Sequence, residues 1–219
     1  MTPGSLPPAD SSTWPECQSS MVRGLATLTD PELLHLQKQN PEAARYFICL
    51  FCRHEQTIEH HLQQTVLPSE LPQRLHQVWQ RLHRQLGQLD PRSADATNLR
   101  TWLIQQTSAI LQGGVEGSPL LAAPVSPLFS TGSLSLARVS PALVCFLLMG
   151  LERLPGDLRF IVLLHDRFHW STSQIAAQLK LDGYILSPSE ITEKVEEARQ
   201  RLFQELPADI RALYLTTKP

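Results

Sequence analysis

Cys49 and Cys52 lie three residues apart and are followed by His54, His60 and His61. Thiolates and imidazoles are preferred zinc ligands, and residues three apart on a helix share a face. Zinc would need two more ligands at workable geometry, and His54, two residues beyond Cys52, points elsewhere. Buried, small, apolar cysteines account for the pair more simply, and Cys145 in the apolar run 141–151 reads the same way. His165 and His169 flank Arg167 near an expected helix end, where a cationic side chain suits the dipole. The sequence offers no carboxylate pair in a pocket-like context, no phosphate-cradling glycine loop and no nucleophile elbow. The expected chemistry is recognition rather than catalysis, with no metal and no cofactor.

The elements that would position recognition residues are helices. From Ser140 to Leu215 apolar residues recur at helical spacing, and turn signals divide the run into four or five helices. Leu154-Pro155-Gly156-Asp157 ends one helix and starts the next, with Asp157 expected as its cap. Ser171-x-x-Gln174 and Ser187-Pro188-Ser189-Glu190 have the form of capping boxes. Ile191, Val195, Ala198, Leu202 and Leu206 then mark one buried stripe on a long helix. A short helix, a turn carrying Gly183 and a longer helix make a helix-turn-helix candidate.

The first half follows the same logic. Residues 1–27 are rich in Pro, Ser and Thr and read as a disordered tail. Thr29-Asp30-Pro31-Glu32 starts a short helix with Leu33, Leu34 and Leu36, and Asn40-Pro41-Glu42 repeats the start signal. The segment 41–66 carries the stripe Ala44, Phe47, Ile48, Phe51, Cys52, Ile58 and Leu62. Residues 73–86 form a third helix with Leu75, Val78, Trp79, Leu82 and Leu86 inward. Thr97 or Asn98 starts a fourth through Leu99, Trp102, Leu103 and Leu111. Residues 113–139 read as a linker, because Gly, Pro and Ser break any period. The expected fold is all-α: two small helical domains, 28–112 and 140–219, joined by a flexible linker, the second with a helix-turn-helix.

Composition bounds the partners. The 219 residues are 42% hydrophobic and 18% charged, with a formal charge of −2. Residues 28–112 hold 8 basic and 8 acidic side chains; residues 140–219 hold 9 and 10. Nucleic-acid binders usually show a basic surplus, because affinity comes largely from neutralising phosphates. DNA binding would have to come from a local patch or from a partner that does most of the holding. No apolar run approaches a membrane span and no signal peptide is visible, so a cytoplasmic location is expected. Four cysteines in a chain this long do not make a disulfide framework.

Longer motifs add a resemblance. Leu154-Pro155-x-x-x-Arg159-x-x-x-Leu163, Trp170-Ser171-x-x-x-Ile175-Ala176-x-x-Leu179 and Ala198-Arg199-x-x-Leu202 resemble the promoter-reading C-terminal domain of bacterial sigma factors. The type is the extracytoplasmic-function branch of the sigma-70 family. Leu33-Leu34, Asn40 to Ala43 with Phe47, Gln77-Val78-Trp79-x-Arg81-Leu82 and Leu99-x-x-Trp102-Leu103 resemble the family's N-terminal helical domain. The resemblance implies a transcription initiation protein that binds core RNA polymerase and directs it to promoter DNA. It assigns Leu75, Gln77, Val78, Trp79 and Leu82 to polymerase docking. It assigns Ser189, Thr192, Lys194 and Arg199 to DNA, within a promoter-facing segment 175–205. An anti-sigma regulator is a further implied partner.

Three departures from the family pattern bear on mechanism. The docking helix lacks the leading acids. The sequence after Trp102-Leu103 carries no basic residue before Gly113-Gly114. The second helix of the helix-turn-helix holds Glu190, Glu193, Glu196 and Glu197, and carboxylates facing phosphates cost affinity. A sigma-like chain that binds polymerase or another regulator without reading DNA is therefore the alternative expectation.

Overall fold

The computed structural model describes residues 14–113 and 139–215. Among these residues all regular structure is helical and no strand occurs. Contacts divide the chain into two compact units, split at residues 116 and 207, so that 208–215 belongs with the first. The N-terminal 13 residues and nearly all of the expected linker lie outside the described residues.

The first unit begins with a 3₁₀ turn, Pro15–Gln18, and α1, Ser20–Arg23. It continues with α2, Asp30–Gln39; α3, Arg45–Gln63; α4, Leu71–Gln88; α5, Ala94–Thr97; and α6, Leu99–Gln112. Thr29 starts α2 with the reciprocal bonds of a capping box. Its N–H donates to Glu32 Oε2 at 2.7 Å, and Glu32 N–H donates back to Thr29 Oγ1 at 3.4 Å. Phe47 and Phe51 of α3 meet Trp79 of α4 edge-on, at 6.2 and 4.8 Å between ring centroids. Leu33, Leu62, Leu82, Leu86, Leu99 and Leu103 complete a fully buried core. Each such burial contributes roughly 1.5–3 kcal/mol.

The start of α3 departs from expectation. Asn40 does not cap it; its side chain instead donates to Leu36 O at 3.1 Å and closes α2. The residue before α3 is Ala44, which has no side chain to offer. The missing acceptor comes from α11, Ala208–Leu215. Asp209 Oδ2 accepts from the Arg45 N–H at 3.2 Å and from Arg45 Nε at 3.0 Å. A carboxylate at a helix N-terminus meets the positive end of the dipole. The expected boundary kept 208–219 with the second segment; these contacts place α11 with the first.

Residues 14–27 are also structured, contrary to the expected tail. Cys17 and Val22 are buried, and Cys17 forms a disulfide with Cys52 of α3, Cα atoms 5.4 Å apart. Cys52 is thus not a packing cysteine, whereas Cys49 and Cys145 are buried thiols.

The second unit holds α7, Pro141–Arg153; α8, Gly156–Val162; a π-helical turn, Leu163–Arg167; α9, Thr172–Leu181; and α10, Pro188–Glu205. Both expected capping boxes form, Ser171 with Gln174 and Ser187 with Glu190. Asp157 sits in the first turn of α8 and does not cap it. Two apolar clusters hold the unit. Leu147, Leu148 and Leu151 of α7 pack with Leu158, Val162, Ala198 and Leu202. Ile161, Leu164, Ile175, Leu179, Ile191 and Val195 form the other. Leu158 and Val162 of α8 thus serve the first cluster and Ile161 the second, and α10 contributes to both. Gly150 lets α7 approach α10 closely: a Cβ there would lie 2.7 Å from Leu202 Cδ1.

Candidate functional site

The sequence placed two sets of functional residues, one in each unit. Taking the second unit first, α9 ends in a Schellman motif. Gly183, at φ 87°, donates to Lys180 O at 3.2 Å, and Tyr184 N–H donates to Leu179 O at 2.9 Å. The turn then exposes apolar side chains. Leu181, Tyr184 and Ile185 are 82%, 65% and 86% exposed. Isolated exposed apolar residues are ordinary, but three within five positions on one turn form a patch that a partner could cover. Sequence reasoning passed over it. The signal was present in the apolar content of a turn that needs only Gly183 for its geometry.

Ser187 caps α10, whose side chains then point two ways. Ile191, Val195, Ala198 and Leu202 face inward. The four residues assigned to DNA lie on the remaining faces, and each has an intramolecular partner. Ser189 Oγ lies 3.0 Å from Ser187 Oγ. Thr192 Oγ1 donates to Pro188 O at 3.0 Å. Lys194 Nζ donates to Asp157 at 3.4 Å. Arg199 donates from Nε and Nη2 to the Asp166 carboxylate at 3.1 and 2.6 Å and from Nη1 to Glu196 at 2.5 Å. Arg201 pairs with Glu197 at 2.6 Å.

Three of the acids on α10 thereby acquire local roles. Glu190 completes the capping box, and its bonds to Ser187 hold its carboxyl below the ordinary range. Glu196 and Glu197 answer Arg199 and Arg201 one turn on. All three cations of α10 are engaged with carboxylates. Asp166, in the π-helical turn, also receives His165 Nδ1 at 2.7 Å. The bond to Asp166 raises the Arg199 guanidinium above its ordinary pKa. Phe168 follows, half-exposed beside the buried Arg167, whose guanidinium carbon lies 5.5 Å from its ring centre. His169, at φ 55°, occupies the left-handed region that turns the chain toward α9.

In the first unit, the residues assigned to polymerase sit on α4. Leu75, Val78, Trp79 and Leu82 are all buried. Their stripe is the core face of α4, as its periodicity predicts, so a partner docking there would meet other side chains. Only Gln77 of the five is partly exposed, and its Oε1 accepts from Arg74 at 3.4 Å.

The cysteine–histidine region dissolves into separate pairs. Cys52 is bonded to Cys17. His54 Nε2 lies 2.7 Å from Asp30 Oδ2, and Arg53 Nη1 donates to Asp30 Oδ1 at 2.9 Å. Burial opposes ionisation of Asp30, but His54 and Arg53 outweigh it and hold its carboxyl below the ordinary range. Among the described residues no group of three or more His, Cys, Asp and Glu is placed to hold a metal.

His61 and Ser108 line a cleft of about 410 Å³ with Thr65, Leu67, Glu70 and Arg74. His61 Nε2 lies 2.9 Å from Ser108 Oγ. The Ser108 hydroxyl also lies 3.1 Å from Ile104 O.

No family model, no curated protein and no solved structure matches this chain. No helix among the described residues is long and apolar enough to cross a membrane.

Proposed function

We propose that this chain is a sigma-factor-like transcription protein that docks on core RNA polymerase and acts through protein contacts rather than by reading bases with α10. The polymerase part rests on the order and separation of the two sets of sigma-like motifs. In this reading α9, the turn 182–187 and α10 are a helix-turn-helix, and 28–112 is the polymerase-facing segment.

The choice against base reading rests on one observation. Every cation on α10 is already matched by a carboxylate, with Asp166 holding Arg199 through two nitrogens. Phosphate binding would exchange these contacts rather than add to them, so little affinity remains to be gained. Leu181, Tyr184 and Ile185 offer apolar surface for a protein partner, either polymerase or an anti-sigma regulator.

A second reading keeps promoter DNA as a ligand. It is favoured by the exposure of Ser189 and Thr192 on the first turns of α10, where short polar side chains can reach base edges.

Co-elution of the purified protein with bacterial core RNA polymerase tests the proposal, followed by promoter DNA at about 50 and 200 mM salt. Co-elution that Ile185→Asp weakens, with no salt-dependent DNA affinity, is the expected result. DNA binding that falls steeply with salt and is lost on Lys194→Glu would establish the second reading. Absence of co-elution would overturn both.

A further inference from the structure

We propose that the Cys17–Cys52 disulfide is a reversible redox latch that holds residues 14–27 against α3 and governs access to the α3 face carrying Cys49.

The held segment has little structure of its own. Its two helical pieces, Pro15–Gln18 and Ser20–Arg23, are four residues each. Helices that short do not persist without tertiary contacts, because nucleation costs more than one turn returns. Ties to α3 converge on one place. Cys52 takes Cys17, and Arg53 Nη2 donates to Leu25 O at 3.1 Å and to Ala26 O at 3.0 Å. Val22 adds apolar contact. Opening the disulfide removes the covalent cross-link between the segment and α3 and leaves noncovalent contacts alone to hold it.

The sulfurs differ in access. Cys17 is 3% exposed, whereas Cys52 is half-buried. A dithiol reductant would attack Cys52 Sγ as the thiolate. That forms a mixed disulfide and releases Cys17, which takes up a proton. The reductant's second thiolate then attacks the mixed disulfide, and Cys52 leaves as the other thiol. The protein disulfide gains two electrons and two protons, and the dithiol becomes a disulfide.

Cys49 gives the latch something to cover. It lies one turn before Cys52 and four residues before Arg53, on the same face of α3. It is 1% exposed. Burial pushes its thiol above the ordinary range, the Asp30 carboxylate adds to that, and Arg53 pulls in the other direction. With the segment in place Cys49 is inert. With the segment released, the α3 face that carries Cys49 opens beside Arg53, whose charge favours the thiolate, the setting of a reactive cysteine.

The test uses the full chain, oxidised and then treated with dithiothreitol. The readouts are a cross-linked Cys17–Cys52 peptide, trypsin cleavage after the exposed Arg23, and iodoacetamide labelling of Cys49. Cys145, buried in the second unit, is the internal control for global unfolding. Reduction should speed cleavage after Arg23 by about tenfold and open Cys49 to label, with Cys145 protected and reoxidation restoring the first state. Cys17→Ser should match the reduced protein with or without dithiothreitol. If it does not fold, the reduction and reoxidation of the natural chain decide alone. Absence of the cross-linked peptide would overturn the proposal. So would equal cleavage and labelling before and after reduction, or labelling of Cys145 together with Cys49.

Discussion

Arg199 holds Asp166 with two nitrogens, Nε at 3.1 Å and Nη2 at 2.6 Å, and joins α10 to the π-helical turn that ends α8. The carboxylate is 9% exposed and the guanidinium 32%. A planar fork on a nearly buried carboxylate is a stronger and more directional contact than the exposed pairs elsewhere on α10. It fixes the flank of α10 beside its apolar stripe.

Removing one partner leaves the other without its charge match. Arg199→Ala should lower the stability of the second unit by about 2–3 kcal/mol, measured by denaturant unfolding. A double-mutant cycle with Asp166→Asn should give a coupling above about 1 kcal/mol. A coupling near zero would mark the pair as an exposed contact of little consequence.

Trp79 and Gln77 separate core from surface on α4. Trp79→Ala should cost about 3–5 kcal/mol, because Phe47 and Phe51 both lose their edge-on neighbour. Gln77→Ala should change stability by less than about 0.5 kcal/mol. Thermal melts of the two variants check this. Similar melts would place Trp79 outside the core.

How far these arrangements were legible in the sequence depended on range. The capping boxes at Thr29, Ser171 and Ser187 each act within four residues, and their patterns announced the helix starts. The apolar stripes were equally plain, and the stripe on α4 already described a core face before the resemblance assigned it to a partner. Partners far along the chain were not legible. Nothing local ties Cys17 to Cys52 or Arg199 to Asp166. Asn40 looked like a start signal because Asn serves both ends of helices, and only its bond to Leu36 O shows which end it serves here.

Gly183 carries the turn between α9 and α10. An alanine at φ 87° meets its own backbone, so Gly183→Ala should cost about 1–2 kcal/mol. The expected sign is a lower melting temperature with unchanged helical content. A neutral outcome would mean that the turn relaxes without the Schellman bonds.

His83 packs edge-on to Phe47 at 4.2 Å, and burial pushes its pKa down to about 4. The unfolded imidazole titrates near its ordinary value of 6.5. Between these values the unfolded chain binds the extra proton, so stability is full above pH 6.5 and falls as the pH drops toward 4. The loss by pH 5 should be on the order of 1–2 kcal/mol. Unfolding followed at pH 7 and pH 5 measures it, and His83→Gln should flatten the difference.

The carboxylate that caps α3 is supplied from 164 positions downstream. Ribosomes add roughly 5–20 residues per second, so Arg45 emerges on the order of ten to thirty seconds before Asp209 exists. Throughout that interval the longest helix of the first unit has no side chain at its N-terminus to take up its first N–H groups. Maturation of that unit is thus timed by synthesis of its partner: α3 acquires its cap only after the whole second unit has been synthesised.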